Sequence, residues 1–162
     1  MRKIVWLAFL VGAFYAHAQF IFSERQIARW LNQHEEAVMR GKDKACDDYT
    51  RDLKVHIRAG AATREWQVDG GRDMMCEYEK RASAAFMLTN ARINTQREIL
   101  SVERSGFPWM SATVKVHEES SVQIGRMPPM KETADTTLVF ERGIRALSVS
   151  RIDSQSEGNF PR

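Results

Sequence analysis

The residues able to do chemistry are few and spread along the chain. Histidines stand at His17, His34, His56 and His117, and cysteines at Cys46 and Cys76. A metal site wants His, Cys, Asp or Glu at compact spacing. Neither HExxH nor CxxC occurs, and His34, His56 and His117 fall on three separate elements. No metal and no cofactor is therefore expected. Asp47-Asp48 and Glu118-Glu119 are adjacent carboxylates, but neighbours on one strand or helix point apart, so neither is an acid–base pair by itself. The cross-cleft separation that a glycosidase pair needs is not written in a sequence. GxSxG, P-loop and GxGxxG patterns are absent. On residue types alone, no side chain is assigned a catalytic role.

Cys46 and Cys76 are better read together with the N-terminus. Met1-Arg2-Lys3 is basic, Ile4 to Tyr15 is an uninterrupted apolar run, and Ala16-His17-Ala18 follows. That order is the one of a secretory signal peptide, with cleavage expected after Ala18. The alternative is an N-terminal membrane anchor, for which the run falls short of the roughly 20 apolar residues a span requires. The expected location is the periplasm or the cell exterior, with no membrane span after cleavage. Two cysteines in an oxidising compartment are expected to pair. The loop closed would contain about 30 residues and stabilise the fold by roughly 3 to 4 kcal/mol in the chain-entropy model. Two separately buried thiols are the alternative.

The chain has 162 residues, 43% hydrophobic and 28% charged, which suits one domain with a real core. The expected division is a leader at 1–18, one domain at 19–153 and a flexible tail at 154–162. Without Arg2 and Lys3 the count is 22 basic against 21 acidic residues, interleaved as in Glu79-Lys80-Arg81. A nucleic-acid binder should carry a one-signed patch; none is visible, and no nucleic-acid partner is expected.

The elements that must position these residues begin with a helix over Ser23 to Gly41. Ile27, Trp30, Leu31, Ala37 and Val38 recur at three- and four-residue steps. Ser23 and Gln26 fit a capping box, Phe22 and Ile27 a hydrophobic staple, and Gly41 a left-handed C-terminus. His34 falls beside the apolar stripe, where a partly buried, hydrogen-bonded histidine is expected. Asp43 to Tyr49 reads as a short second helix, and Leu53 to Arg58 alternates as a half-buried strand. Asp69-Gly70-Gly71 precedes a helix over about Arg72 to Ala85, whose Met74 and Met75 are expected to pack in the core. From Phe86 onward the period is two. Strands are expected over Ile93 to Arg104, over Met110 to His117, over Asp135 to Arg142 and over Ile144 to Ile152. The two prolines of Gly125 to Lys131 make that segment a loop.

Helices first and long antiparallel strands after them define an α+β class, N-terminal helices packed on an antiparallel sheet. The first helix, the block DKACDDYTRDLKVHI, the Gly-led helix at Gly70-Gly71-Arg72 and the terminal strands together cover Ser23 to Ile152. In that order they resemble the NTF2-like family, also called the SnoaL-like or cystatin-like α+β cone. The resemblance implies a long first helix crossing the concave face of the sheet, with a pocket between. Ketosteroid-isomerase-like members carry a stretch like Leu-Tyr-Ala-Asp-Asp-Ala-Thr-Val-Glu-Asp-Pro, whose last Asp abstracts the proton. Aligned on the shared Tyr and Val, Ile57 stands where that base is wanted, and isoleucine accepts no proton. His56 points to the opposite side of the strand and does not inherit the role.

Candidates to line the implied pocket are Trp30, His34, Tyr49, His56, Trp66 and Trp109, with core filling as the alternative use of the aromatics. The leading expectation is an exported, non-catalytic domain binding a small apolar ligand or a protein partner. The loop Arg126-Met127-Pro128-Pro129-Met130 is a candidate contact surface. Dimerisation through the outer sheet face is a tendency of the resembled family. An isomerase- or dehydratase-like enzyme using His56, His117 or Asp52 is one alternative. A subunit or inhibitor of a secretion or immunity system is another.

Overall fold

A computed structural model describes residues 2–61, 64–106, 110–143 and 146–159. The elements are helix α1 (Arg2–Ile21), helix α2 (Glu24–Met39), a 3-10 helix (Asp43–Asp48), strands β1 (Tyr49–Ala61) and β2 (Arg64–Gly70), helix α3 (Arg72–Thr89), and strands β3 (Arg92–Ser105), β4 (Ser111–Gln123), β5 (Met130–Arg142) and β6 (Leu147–Asn159). The strands form one sheet in the order β2-β1-β6-β5-β4-β3. All neighbours are antiparallel except β1 and β6. The helices lie on one face of it, as the alternation of apolar residues requires.

Register explains where the core sits. Val55 faces Ile152, Ile152 faces Leu138, Leu138 faces Val114 and Val114 faces Val102, so one apolar row crosses five strands. The row beside it contains Tyr49, Val149, Phe140 and Ala112. Phe22, Ile27 and Leu31 close over these rows from the helical side. Register shifts in β3 at Ile99/Ser101, between β5 and β6 at Val139/Phe140, and between β1 and β6 at Tyr49/Lys54 interrupt the ladders. Each such irregularity bends and twists its strand, which curves the sheet around the helices.

Cys46 of the 3-10 helix is bonded to Cys76 of α3, with Cα atoms 5.6 Å apart. The bridge brings the first turn of α3 against the segment that leads into β1, and Arg72 donates two hydrogen bonds to the Cys46 carbonyl there (3.1 and 2.9 Å). α2 ends as expected: Gly41 has φ of 62°, and the amides of Gly41 and Lys42 return to the carbonyls of Val38 and Ala37. This pattern satisfies two of the helix's last carbonyls.

Several expectations need correction. The capping box is not formed, because the Ser23 side chain makes no cap bond. The chain enters Ser23 directly from α1, the Ser23 carbonyl accepts from the amides of Gln26 and Ile27, and Arg29 takes up the Gln26 side chain instead. α3 runs beyond Ala85 and Phe86 to Thr89, closing on Asn90 in the left-handed conformation. The tail expected from Ser154 is strand through Asn159, because β6 is flanked on both sides and pairs there with β1 and β5. Among the described residues, no helix is long and apolar enough to cross a membrane.

Two stability experiments follow. Reducing Cys46–Cys76 should lower the urea unfolding free energy by about 3.5 kcal/mol, and non-reducing peptide mapping should recover the two cysteines in one linked pair. Phe140 is fully buried and bears the Trp30 ring edge-on at 4.9 Å. Phe140→Ala should therefore cost about 3 to 5 kcal/mol in the same titration.

Candidate functional site

α2 and α3 cross the sheet without filling it, and a cavity of about 380 Å³ remains between them and the strands. Its helical wall carries Trp30, His34 and Val38 from α2, and Met75, Tyr78 and Phe86 from α3. Its sheet wall begins at Ile57, Leu138 and Ile152 and turns polar toward Glu118, Ser120 and Glu132. The change follows from register. Past the apolar rows, Arg97 faces Glu118, and one step further Thr95 faces Ser120 and Ser120 faces Glu132. The cavity is thus the polar continuation of the core.

At its inner wall His34 is held from three elements. Its Nδ1 lies 2.9 Å from Asp48 Oδ2 at the end of the 3-10 helix. Its Nε2 lies 2.9 Å from the Tyr49 hydroxyl and 3.0 Å from Glu79 Oε1 on α3. The Tyr49 hydroxyl donates a short hydrogen bond to the same Glu79 oxygen. Trp30, one turn earlier on α2, stacks flat on the imidazole with centroids 4.9 Å apart. Burial by itself would lower the His34 pKa, but the Asp48 and Glu79 carboxylates outweigh it and raise the pKa to about 9. His34 is therefore an imidazolium at neutral pH, with both N–H groups directed at carboxylates. The Tyr49 phenol is pushed well above its ordinary range by burial and by Glu79, and it stays protonated.

A second ionic group lies on the sheet side. Arg97 donates from Nε to Glu118 Oε1 at 2.6 Å and pairs through Nη2 with Glu35 Oε2 at 2.7 Å. Thr95 donates to the other Glu35 oxygen at 3.0 Å, and Arg97 Nη1 reaches Asn32 at 3.1 Å. This group ties α2 to β3 and β4. Burial opposes the guanidinium charge, and Glu118 and Glu35 more than restore it.

The candidates named from sequence divide. Trp30, His34 and Tyr49 line the cavity, and so do Ile57 and Tyr78. His56 does not: it faces the other side of β1 and pairs with Asp69 on β2. Trp66 sits at the outer sheet edge opposite Ala59, 44% exposed and 6.1 Å from the Tyr78 ring. It is outside the cavity and lines instead a separate hollow with Arg58, Gln67 and Gln155. Trp109 lies outside the described residues. Among the alternative bases, His117 faces outward to Asp135 and Asp52 is exposed, so the enzyme reading loses all three. Among the described residues no group of three or more His, Cys, Asp or Glu could hold a metal ion.

Sequence reasoning missed Asp48, Glu79, Arg97 and Glu118. A signal for the first two was present. Asp48 follows Cys46 by two residues and Glu79 follows Cys76 by three, one turn on along the same face of α3. Joining the cysteines carries both carboxylates to one place. Nothing comparable marks Arg97 and Glu118, whose meeting depends on the β3–β4 register.

No family model and no curated protein matches the chain. Solved structures do match. An NTF2-like protein with a cystatin-like fold from Novosphingobium aromaticivorans superposes with a TM-score of 0.63 at 11% identity, covering 86% of this chain and 85% of that one. The beta subunit of the benzoate 1,2-dioxygenase from Burkholderia mallei gives 0.58 at 12% identity, covering 83% and 90%. A domain of unknown function with a cystatin-like fold from Nostoc punctiforme gives 0.56 at 12%, covering 82% and 75%. The fold is the NTF2-like cone. At these identities the likeness is one of fold, and fold does not carry function with it.

The His34 cluster predicts a pH dependence. A proton held more tightly in the folded than the unfolded state stabilises the fold fully below about pH 6.5, and this is lost as pH rises through about 9. The urea midpoint should therefore fall between pH 6.5 and 9.5, by an amount equivalent to about 3 kcal/mol. His34→Gln should be less stable than the parent at pH 6 by a similar amount, because Asp48 and Glu79 lose their cation, and its profile over that range should be much shallower, with only the slope that His117 beside Asp135 contributes. A parent profile equally shallow would refute the imidazolium.

Proposed function

We propose that this chain is an exported, non-catalytic pocket protein, binding one small and largely apolar molecule between α2, α3 and the sheet. The observation that carries this reading is the cavity of about 380 Å³, walled mostly by apolar side chains, a size and lining typical of small-molecule sites. Its reactive groups are spent on one another. Both His34 nitrogens are bonded to neighbours, the Tyr49 hydroxyl to Glu79, and Arg97 to Glu35 and Glu118. General base catalysis needs a group free to reach the substrate's proton, and in the alignment of the short block through Tyr49 and Val55 it is Ile57 that stands where the resembled isomerases have one. Export is supported by the basic, apolar, small-residue order of the first 18 residues and by the Cys46–Cys76 bond, which suits an oxidising compartment.

One observation favours an isomerase- or dehydratase-like enzyme as the second reading. Glu79, Tyr49 and His34 form a continuous proton-bonded chain at the cavity wall. Such a chain could relay a proton if a ligand displaced one of its members.

The neutral fluorophore N-phenyl-1-naphthylamine tests the pocket. Saturable one-to-one binding in the micromolar range is expected. Ala82→Phe, which adds a ring on the α3 wall of the cavity, should weaken it by about tenfold or more without lowering the melting temperature. Absence of saturable binding, or binding indifferent to Ala82→Phe, would overturn the reading.

A further inference from the structure

The charges around the cavity do not balance. Glu35, Glu79, Glu118 and Glu132 line it, and Asp48 stands directly behind His34. Against these five carboxylates stand two cations, His34 and Arg97. No lysine lines the cavity. His34 is taken up by Asp48 and Glu79, and Arg97 by Glu35 and Glu118. Each of these two groups keeps one negative charge, and Glu132 adds a third with no ion pair among the described residues.

The surplus has a definite place. Glu118 faces Ala134 across the β4–β5 ladder, and Glu132 is two residues from Ala134 on the same face of β5. Glu118 and Glu132 are therefore diagonal neighbours, at a spacing of roughly 7 to 8 Å between backbones. Glu118 meets Arg97 through Oε1 alone, which leaves its second oxygen to accept another bond. Tyr78 of α3 lines the same space and lies within the field of Glu132 and Glu79. Phe86 lines it about two helical turns further on. Two carboxylates on one face beneath aromatic rings, continuous with an apolar hollow, form a surface that attracts cations and repels anions.

We infer that the ligand of this cavity is an organic cation, with its apolar body against Trp30, Ile57 and Leu138 and a protonated amine directed at Glu118 and Glu132. The inference rests on the pocket reading above and names its ligand class. An ammonium group supplies the hydrogen-bond donors and the charge that this end of the cavity lacks. A fatty acid or other carboxylate would add a like charge to a surface already in excess. A neutral molecule of the same shape would bury the same area without the electrostatic gain.

The test uses three probes with one apolar body: 1-naphthylmethylammonium, 1-naphthylmethanol and 1-naphthylacetate, titrated calorimetrically into the intact protein at neutral pH. The ammonium should bind about tenfold or more tighter than the alcohol, and the carboxylate weakest of the three. Added salt should narrow the difference. Glu132→Gln alters a side chain at the exposed rim, so the fold should be retained. It should weaken the ammonium several-fold and leave the alcohol unchanged. Equal affinity for ammonium and alcohol, or preference for the carboxylate, would overturn the cation inference while the pocket reading stands. Binding of none of the three would sink both.

Discussion

The interaction on which the arrangement of helices depends is the buried imidazolium of His34. Three elements that share no backbone hydrogen-bond ladder meet at its ring: α2, which supplies it, the 3-10 segment leading into β1, and α3. A charge in so buried a place is costly unless it is paired and hydrogen-bonded. Asp48 and Glu79 provide both conditions, and the flat indole of Trp30 adds a favourable face. Removal of His34 would leave two carboxylates without their cation at the junction of all three elements. The cluster therefore fixes how α2 and α3 sit on the sheet more tightly than nonspecific apolar packing could.

The disulfide serves the same junction covalently. Cys46–Cys76 closes the loop that contains β1 and β2 and holds Asp48 and Glu79 on either side of His34. A second ionic group, Arg97 with Glu35 and Glu118, secures the other flank of α2 to the sheet. Between these two anchors the sheet curves around the helices without meeting them. The cavity is the space that this curvature opens and that no side chain is long enough to fill.

A polar belt crosses that space between apolar stretches. Apolar rows spanning the strands give way, residue by residue along each strand, to Arg97–Glu118 and then to Thr95–Ser120–Glu132. One step beyond, Ile93 faces Val122, and both line the cavity with apolar surface again.

Much of the fold was legible in the chain alone. Local periodicity located α2, the 3-10 segment, β1, α3 and the long C-terminal strands, and Gly41 marked where α2 ends, because each of these is set by neighbours within a few residues. Strand extents were not legible: Ser154 to Asn159 looks like a polar tail and becomes strand only because β1 and β5 supply partners on both sides. The same holds for the site. His34 could be suspected, but its carboxylates lie 14 and 45 residues away, and Arg97 meets Glu118 only through cross-strand register. Side-chain types and helical faces are properties of the local sequence. Which charges share one low-dielectric space, and with what surplus, is decided by long-range contacts that exist only once the sheet has closed over the helices.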